Sequence, residues 1–376
     1  MTQAEVRCPL HAYGWHSEYG PGRVMQMAAN GTEFTPAGRF TSVTSHDVAR
    51  QAGLSQSTVS RALRNDPRVA DGTRDRVLAA VAALKYVPNA TARNLVLRRT
   101  QTIGMLVTDI ANPYYPYLIA PLHDELASLN YRMVLFAERP DRKDTDLVEG
   151  LLSHGIDGAV LADSTLDGRT AGELARQGVP FVFLTREVDG LAADAAVVDN
   201  ALGASLMAAE VARLGHRRVG AIFGPSDTST GVHRERGFRA GLAAAGSQLP
   251  DAAVRRGAYD VEFGYSSMLD LIAVEPRPTV VVCFNDLVAI GALNAAKQLG
   301  LRVPDDISIT GWDDLPIAAW EICRLTTVRQ SMNEMARTAG RLLVERIEGR
   351  SGPGPRRVLF EPELVLRDTL GPPPAD

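Results

Sequence analysis

The sequence predicts a chain of two parts: a small all-helical domain near the N-terminus and a larger core of the α/β class. Before residue 87, apolar residues recur with helical spacing, whereas from Thr102 onward strand-like runs alternate with amphipathic helical stretches. The length of 376 residues suits two or three domains of ordinary size.

Three short helices are predicted in the N-terminal domain. Thr44 followed by Asp47 has the form of a helix start in which each side chain caps the backbone of the other residue, and Gly53 is typical of a helix end. Ser55 is expected to cap the second helix. A helix, a tight turn with glycine and a second helix form the pattern of a helix-turn-helix motif.

The second helix has two chemically distinct faces. At about 100° per residue, Val59, Ala62 and Leu63 fall on one side, as residues of a domain core do. Such a helix can insert its opposite side into the major groove, where amides, hydroxyls and arginines bond base edges and phosphates. An ordinary solvent-exposed face is the alternative. The polar groups belong to Gln56, Ser57, Ser60, Arg61 and Arg64.

The local charge favours contact with DNA. Residues 41–100 carry 10 Lys and Arg against 4 Asp and Glu, whereas the net charge of the whole chain is −4. A basic module on an acidic body is expected where only the module touches phosphates. The turn pattern and the charge together predict that the second helix binds DNA.

The core has the pattern of parallel sheets covered by helices. Helical stretches repeatedly close on a glycine just before the next strand, at Gly178, Gly215, Gly246 and Gly300. This alternation predicts parallel sheets with helices on both faces, and more than ten strands predict two α/β subdomains rather than one sheet. The clearest strand-like runs are Thr102–Thr108, Tyr131–Ala137, Gly158–Ala162, Pro180–Leu184, Arg218–Phe223, Thr279–Phe284 and Ile307–Thr310.

Several classes of protein do not fit the sequence. It contains no GxSxG, HExxH, GxxxxGK[ST] or GxGxxG motif, so we expect no enzyme, no cofactor and no metal site. The three cysteines are scattered and give no disulfide pattern. A secretory signal and an apolar run of about 20 residues are also lacking, which predicts a cytoplasmic protein without a membrane partner. Residues 1–40 are expected to form a disordered extension, or to be upstream sequence included by a wrongly chosen start codon.

Two stretches of the N-terminal domain carry a family resemblance. VTSHDVARQAGLSQSTVSRALRNDPRV, at residues 43–69, closely resembles the DNA-binding domain of the lactose-repressor/galactose-repressor (LacI/GalR) family, and TRDRVLAAVAALKYVPNATARNL resembles its third helix and hinge. The resemblance continues through the core in the same order, in IGMLVTDIANPYY, RERGFRAGL, FNDLVAIGAL, DDISITGWDD and LTTVRQ. It covers about residues 43–368.

The resemblance implies an organisation of the whole chain. The core is expected to be like periplasmic sugar-binding proteins, with a ligand cleft between two doubly wound α/β subdomains that are joined by three crossovers. The implied ranges are a helix-turn-helix domain at 41–87, a hinge helix or linker at 88–100, a core at 101–368 and a tail at 369–376. Within the core, the first subdomain is expected at about 101–200 and 331–352, and the second at about 201–330 and 353–368.

The resemblance also assigns residues that contact DNA. Gln56 and Ser57 match the positions that chiefly read bases, and Arg61 matches a third reader. Asn89 would cap a hinge helix that forms on DNA. Leu95 matches an apolar wedge inserted into the minor groove, or is a linker leucine packed on the core. The complete predicted set is Thr44, Ser55, Gln56, Ser57, Thr58, Ser60, Arg61, Arg64, Thr73, Asn89, Arg93 and Leu95.

A second set is implied to bind a small molecule in the cleft. Tyr114 and Tyr115 match an aromatic platform, or are packing residues of a turn. Arg234 matches an arginine that forks onto ligand hydroxyls or a carboxylate, with a plain basic helix face as the alternative. Asp286 is interpreted as the N-cap of the next helix. The predicted set is Tyr114, Tyr115, Asp163, Arg234, Tyr259, Asn285 and Asp313.

The function implied is regulation of transcription, most readily repression. The protein would bind palindromic operator DNA as a homodimer, under the control of a sugar-like effector. The predicted cleft residues suit a sugar, a sugar acid and a nucleoside about equally. The alternatives are a solute-binding protein without a role on DNA and a regulator that acts through protein contacts.

Overall fold

A computed structural model of the chain describes residues 43–63, 65–86, 99–137, 144–162 and 164–375. The chain divides into two compact units between residues 89 and 90. The predicted extension at 1–40 and most of the predicted hinge at 88–100 lie outside the described residues. Within the described ranges, no helix is both long and apolar enough to cross a membrane.

The N-terminal unit contains the three predicted helices. They are α1 Ser45–Ala52, α2 Gln56–Leu63 and α3 Asp71–Leu84. The predicted cap of α1 is confirmed, because the Thr44 amide donates to Asp47 Oδ2 at 2.9 Å and the Asp47 amide donates to Thr44 Oγ1 at 3.4 Å. Gly53 ends α1 with a φ of 61°, in the left-handed region that suits glycine. Val48, Val59 and Val77 are fully buried where the helices meet.

Two arginines of α3 fix the arrangement of these helices. Arg76 donates from Nη2 to the carbonyl oxygen of Ala52 at 2.7 Å, at the end of α1. Arg74 donates to Asn65 Oδ1 at 2.5 Å and to the carbonyl oxygen of Asp66 at 3.1 Å, in the loop between α2 and α3. The Ala52 carbonyl, one of those that the end of α1 leaves without a helical partner, is thereby satisfied by a side chain.

The first subdomain of the core is built on a six-stranded parallel sheet. The strand order is β2-β1-β3-β4-β5-β11. Helices α4 and α11 pack on one face through Leu118 and Leu343, and α5 and α6 pack on the other through Leu151 and Leu174. The elements are β1 Thr102–Val107, α4 Pro116–Ser128, β2 Arg132–Ala137, α5 Asp144–Ser153, β3 Gly158–Leu161, α6 Arg169–Arg176, β4 Phe181–Leu184, β5 Asp194–Val198, α11 Met332–Ile347 and β11 Arg357–Phe360.

The second subdomain has a four-stranded parallel sheet in the order β7-β6-β8-β9. Its core is aromatic, with Phe223, Phe238, Phe284 and Trp312 all almost fully buried and in ring contact. The elements are α7 Asn200–Arg213, β6 Val219–Phe223, α8 Ser229–Ala244, β7 Val254–Arg256, α9 Val261–Ile272, β8 Val280–Cys283, α10 Asp286–Gln298 and β9 Ser308–Thr310.

The chain crosses between the two subdomains three times. It passes from β5 into α7, from β10 Thr327–Arg329 into α11, and from β11 into β12 Glu363–Val365, which pairs antiparallel with β10. All seven predicted strand-like runs contain a strand, and the four predicted helix-ending glycines have positive φ. The predicted α/β class of the core is therefore confirmed.

One predicted boundary is wrong. Residues 353–368 were expected to belong to the second subdomain, but β11 pairs in parallel with β5 in the sheet of the first, with Val358 opposite Ala196 and Phe360 opposite Val198. Val358 and Phe360 pack against the first subdomain's core, and this apolar contact decides the pairing. The strand has only four residues, too few for its partner to be read from its pattern.

The first residues of the predicted tail at 369–376 are part of the fold, through contacts of Thr369, Leu370 and Gly371. Thr369 accepts hydrogen bonds at its carbonyl oxygen from the Ile309 amide at 2.9 Å and at Oγ1 from the Thr326 amide at 2.9 Å. The buried His216 has its Nε2 2.8 Å from the carbonyl oxygen of Gly371. Burial lowers the pKa of His216, so the imidazole is neutral and its Nε2–H donates to that carbonyl. Leu370 completes the attachment by packing on the second subdomain's core.

We expect deletion of residues 369–376 to lower the free energy of unfolding of the core by about 3 kcal/mol or more, because at least three hydrogen bonds of about 1 kcal/mol each and the Leu370 contact are lost. Thermal denaturation followed by circular dichroism measures the change. Deletion of only Ala375 and Asp376 is the control and should leave the midpoint unchanged. Equal midpoints for the two deletions would show that the segment is not structural.

Candidate nucleic-acid and effector sites

The two faces of α2 are as predicted from the sequence. Val59 is fully buried and Ala62 is nearly so, whereas Ser57 and Arg61 are exposed and Ser60 is half-buried. The side chains of Gln56, Ser57, Ser60 and Arg61 line one concave surface together with Asn65, Asp66, Pro67 and Arg68 of the following loop. Arg64 lies outside the described residues.

Hydroxyl groups order the start of α2. Ser55 Oγ lies 2.9 Å from Ser57 Oγ and 2.8 Å from Thr58 Oγ1, and it accepts a hydrogen bond from the Thr58 amide at 3.2 Å as the predicted cap. Gln56 Nε2 donates to Ser45 Oγ at 3.0 Å, which ties the first turn of α2 to the first turn of α1. The predicted base-reading side chains are thus held on a rigid element before any partner binds.

The remaining predicted DNA contacts are more dispersed. Thr44 is exposed at the start of α1, and Thr73 is half-buried in the first turn of α3. Asn89, Arg93 and Leu95 lie outside the described residues. Arg68 was not among the predicted DNA contacts, although it lies on the concave surface beside α2. It is paired with Asp66 at 2.7 Å, and the hydrogen bonds from Arg68 hold the pKa of Asp66 well below its ordinary value.

A second site lies in the core between the two subdomains, where the carboxyl ends of parallel strands of both sheets meet. It encloses a small cavity of about 40 Å³. Six of the seven predicted ligand-binding residues line it, and Asp163 lies outside the described residues. The lining consists of Asn112, Tyr114, Tyr115, Ala162, Thr185, Arg186, Thr230, Arg234, Tyr259, Asn285 and Asp313.

Arg234 is the most constrained cation of this cleft. It is only 4% exposed, and it donates from Nε to Asn200 Oδ1 and from Nη1 to the carbonyl oxygen of Phe284, both at 2.7 Å. Its guanidinium lies 4.4 Å from the centre of the Trp312 ring, a cation–π contact. The alternative of an exposed basic helix face is therefore wrong. Asn200, which positions Arg234, was missed because its role depends on contact across the fold.

Asn285 and Asp313 form a hydrogen-bonded pair just after the ends of the neighbouring parallel strands β8 and β9. Asn285 caps α10, since its Oδ1 accepts from the amides of Leu287 at 2.8 Å and Val288 at 3.2 Å. Its Nδ2 donates to Asp313 Oδ2 at 2.8 Å, and Gln330 Nε2 donates to Asp313 Oδ1 at 2.5 Å. Both oxygens of the Asp313 carboxyl group thus already accept a protein amide.

The prediction that Asp286 caps α10 is wrong, because Asn285 does so. The fully buried Asp286 carboxyl group instead accepts from Thr327 Oγ1 at 2.6 Å and from the Leu315 amide at 2.8 Å. Asp286 therefore holds β10 and the loop after β9 against α10. The error arose because Asn and Asp are both good N-caps and stand next to each other in the sequence.

Burial gives the two acids unusual protonation. It raises the pKa of Asp313 to about 7, against the attraction of Arg234 and the hydrogen bonds from Gln330 and Asn285. Burial also raises the pKa of Asp286 well above its ordinary value, and the nearby Asp313 raises it further. Asp313 has a φ of 119°, a conformation that is strained for a residue with a side chain and is often found at functional sites.

The two neighbouring tyrosines have different roles. Tyr115 is buried in the first subdomain's core, and its hydroxyl lies 3.0 Å from Thr108 Oγ1 at the end of β1. Tyr114 meets it edge-to-face with ring centres 5.8 Å apart. Burial raises the pKa of Tyr114, and the charge of Asp313 adds to the effect. The packing alternative thus accounts for the core contact of Tyr115, although both tyrosines line the cavity.

Two kinds of comparison identify the chain's relatives. Residues 44–89 match the model of bacterial regulatory proteins of the lacI family, and residues 208–370 match that of a periplasmic binding protein-like domain. The HTH-type transcriptional repressor PurR of Photobacterium profundum is 33% identical over 86% of this chain and 97% of its own. The chain belongs to the lacI family. As a member it is a DNA-binding regulator of transcription, and its relatives are regulators rather than enzymes.

Solved structures of lacI-family regulators share the fold. A complex of the regulator CelR with cellobiose is 30% identical with a TM-score of 0.68, over 87% of this chain and 99% of its own. The lac repressor dimer bound to operator and the anti-inducer ONPF is 28% identical with a TM-score of 0.78, over the same shares. The architecture of a helix-turn-helix unit and a core of two parallel-sheet subdomains is therefore that of the family.

The raised pKa of Asp313 predicts a pH dependence of stability in this lacI-family protein. Folded Asp313 keeps its proton up to about pH 7, whereas the unfolded chain releases it near pH 4. The folded state therefore binds more protons between these values, and wild type should lose stability relative to Asp313→Asn as the pH rises from about 5 to 7.

Urea denaturation at a series of pH values, followed by tryptophan fluorescence, to which the buried Trp312 contributes, measures this difference. The slope should approach about 1.4 kcal/mol per pH unit and vanish above pH 8. A difference between wild type and variant that stays constant from about pH 5 to 8 would contradict the assigned protonation.

Proposed function

We propose that this protein is a repressor that binds palindromic operator DNA as a homodimer and is controlled by a small hydroxylated effector in the cleft. The observation that carries the proposal is the exposed surface of α2, where Ser57 and Arg61 face outward beside Gln56 on a helix that is fixed by its own core. Thr44, Ser55, Thr58, Ser60, Arg64, Thr73, Asn89, Arg93 and Leu95 are proposed to add backbone and groove contacts.

The proposed dimer follows from the size of one recognition helix. A single helix-turn-helix module covers too few base pairs for strong specificity, and a two-fold axis matches two half-sites in opposite orientation. One relative supports this view, because the lac repressor was solved as a dimer bound to its operator. Since operator DNA is the proposed target, we place the protein in the cytoplasm.

The proposed effector site is the cleft between the subdomains. CelR, a relative of the same fold, was solved with cellobiose. Ligand pockets usually measure roughly 300–1,000 Å³, so a cavity of about 40 Å³ admits a sugar only when the subdomains separate. A ligand that binds one arrangement better than another shifts their populations, and this shift is the proposed means of control over DNA binding. Tyr114, Arg234, Tyr259, Asn285 and Asp313, with Asp163, are the proposed contacts.

We expect Arg61→Ala to weaken binding to a selected operator by at least tenfold, because each lost bidentate contact to a base costs about 1–3 kcal/mol and the dimer loses two. The operator is first selected from a randomised duplex pool, and affinity is then measured by fluorescence anisotropy. Arg50→Ala, which removes an equal charge from α1, is the matched control and should weaken binding much less.

The far-ultraviolet circular dichroism of Arg61→Ala should equal that of wild type, because Arg61 is exposed. The proposal fails if the wild-type protein enriches no sequence from the pool, or if Arg61→Ala binds the selected operator as tightly as wild type does.

The two cleft tyrosines allow a matched test of the effector site. Tyr114→Phe should weaken binding of whichever compound stabilises the protein in a thermal-shift screen of sugars, sugar acids and nucleosides, with no change in the unliganded midpoint. Tyr115→Phe should instead lower the unliganded midpoint, because the hydroxyl contact to Thr108 is worth about 0.5–1.5 kcal/mol. The reverse pattern would mean that Tyr115, and not Tyr114, meets the effector.

A further inference from the structure

The loop that joins α2 to α3 carries a cation beside the proposed recognition helix. Arg68 lines the same concave surface as the exposed side chains of Ser57 and Arg61. The Arg68 side chain is 79% exposed, whereas that of its partner Asp66 is 15% exposed. Neither residue of this pair has a role in the proposed function, although both lie on the surface that is proposed to bind DNA.

The backbone of this loop is fixed by two successive turns. Asn65 follows α2 with a φ of 55°, and the Asp66 amide donates back to the carbonyl oxygen of Arg61 at 3.1 Å, as in a Schellman cap. The Val69 amide then donates to the carbonyl oxygen of Asp66 at 3.1 Å, which closes a turn around Pro67. Val69 is buried in the core of the N-terminal unit, so the loop leaves α2 in one defined direction.

Arg74 of α3 also anchors this loop. Besides its bonds to Asn65 and to the carbonyl oxygen of Asp66, it donates from Nη2 to the carbonyl oxygen of Val69 at 3.3 Å. None of these three bonds uses the side chain of Asp66 or of Arg68. Variants that change only these two side chains therefore keep the main supports of the loop backbone.

Asp66 binds one edge of the Arg68 guanidinium. Arg68 Nε donates to Asp66 Oδ1 at 3.0 Å and its Nη2 donates to Oδ2 at 2.7 Å, which is a bidentate pair. The Arg68 amide also donates to Oδ1 at 3.0 Å, so the turn itself positions the carboxylate. A guanidinium carries donors along two edges of one rigid plane. The edge formed by Nη1 and Nη2 is therefore held in a fixed orientation.

The carboxylate decides which DNA acceptors suit this second edge. Hydrogen bonds from Arg68 lower the pKa of Asp66, and the charge of nearby Arg61 has a smaller effect in the same direction, so Asp66 is ionised at neutral pH. A carboxylate beside the guanidinium repels a phosphate, which has a charge of the same sign. It does not repel neutral acceptors such as N7 and O6 of guanine. The pair therefore favours a base edge over the DNA backbone.

We infer that Arg68 is a further base-reading residue that binds N7 and O6 of a guanine in the major groove, with Asp66 as its positioning residue. The paired acceptors of guanine match the fork that the second edge of the guanidinium presents. Ordering the Arg68 side chain before DNA binds reduces the entropy that the complex must lose. This inference rests on the proposed binding of operator DNA and adds one read position to each half-site.

Parallel selection of wild type and Arg68→Ala from a randomised duplex pool tests the assignment. We expect wild type to select a guanine at one position of each half-site where Arg68→Ala shows no preference, with the other positions unchanged. Replacing that guanine in one half-site should weaken wild-type binding about fivefold or more, and should change binding of Arg68→Ala little. Arg50→Ala is the matched control that should keep the guanine, because Arg50 is similarly exposed and is also paired with an aspartate, on α1.

The salt dependence of affinity separates a base contact from a phosphate contact. Loss of one phosphate contact in each half-site would reduce the slope of log affinity against log salt by about 1.8, whereas loss of a base contact leaves this slope unchanged. Fluorescence anisotropy at a series of salt concentrations measures the slopes. We expect equal slopes for wild type and Arg68→Ala on the selected operator.

Asp66→Asn tests the positioning role. Asparagine keeps an acceptor for the Arg68 amide but removes the charge that holds the guanidinium. We expect this variant to lose most of the preference for the guanine and to bind random duplex more tightly, because the domain gains one positive charge. Its circular dichroism should equal that of wild type. An unchanged preference for the guanine would contradict the role of Asp66.

The inference is overturned if Arg68→Ala selects the same bases as wild type at every position, or if its only effect is a flatter salt slope. Either result would leave the operator-binding regulator in place, because wild type would still enrich an operator from the pool. Failure of wild type to enrich any sequence would instead overturn the proposed function, and the inference with it.

Discussion

The stacking of the Arg234 guanidinium on Trp312 is the contact on which the centre of the core depends. The same guanidinium is bonded to Asn200, at the first crossover, and to the carbonyl oxygen of Phe284, at the end of β8. A side chain at Gly203 would approach Cη2 of the Trp312 ring to 2.7 Å, so glycine is required in α7 for the indole to fit. One cation thus joins a crossover, a strand end and the aromatic core.

The buried acids extend this arrangement to a second crossover. Asp286 binds Thr327 of β10, and Asp313 binds Gln330, which follows β10 on the way into α11. Removing a carboxyl group from water costs several kcal/mol unless it is hydrogen-bonded or protonated. Asp286 and Asp313 both accept hydrogen bonds, and burial raises the pKa of each, which favours the protonated form. A change of charge at Asp313 therefore acts directly on the connection from β10 to α11. Any change in the arrangement of the two subdomains must deform this connection.

Local patterns predicted most of the fold and much of the cleft. Helix caps, the two faces of α2 and seven strands were readable because each depends on residues close in sequence, and the family resemblance placed six residues at the cleft. Strand β11 could not be assigned to its sheet, because its pairing is decided by distant contacts. Asn200 was missed for a related reason, because its contact with Arg234 is made across the fold.

The attachment of the C-terminal segment also bears on how the protein stays soluble. Strand β9 is the last strand of its sheet, and its Ile309 amide would be free to pair with a strand from another molecule if Thr369 did not occupy it. The His216 bond to Gly371 fastens this cover at its far end. Proteolysis before Thr369 would thus leave the Ile309 amide on this edge open to pairing with a strand of another molecule, and the lesion would show as aggregation.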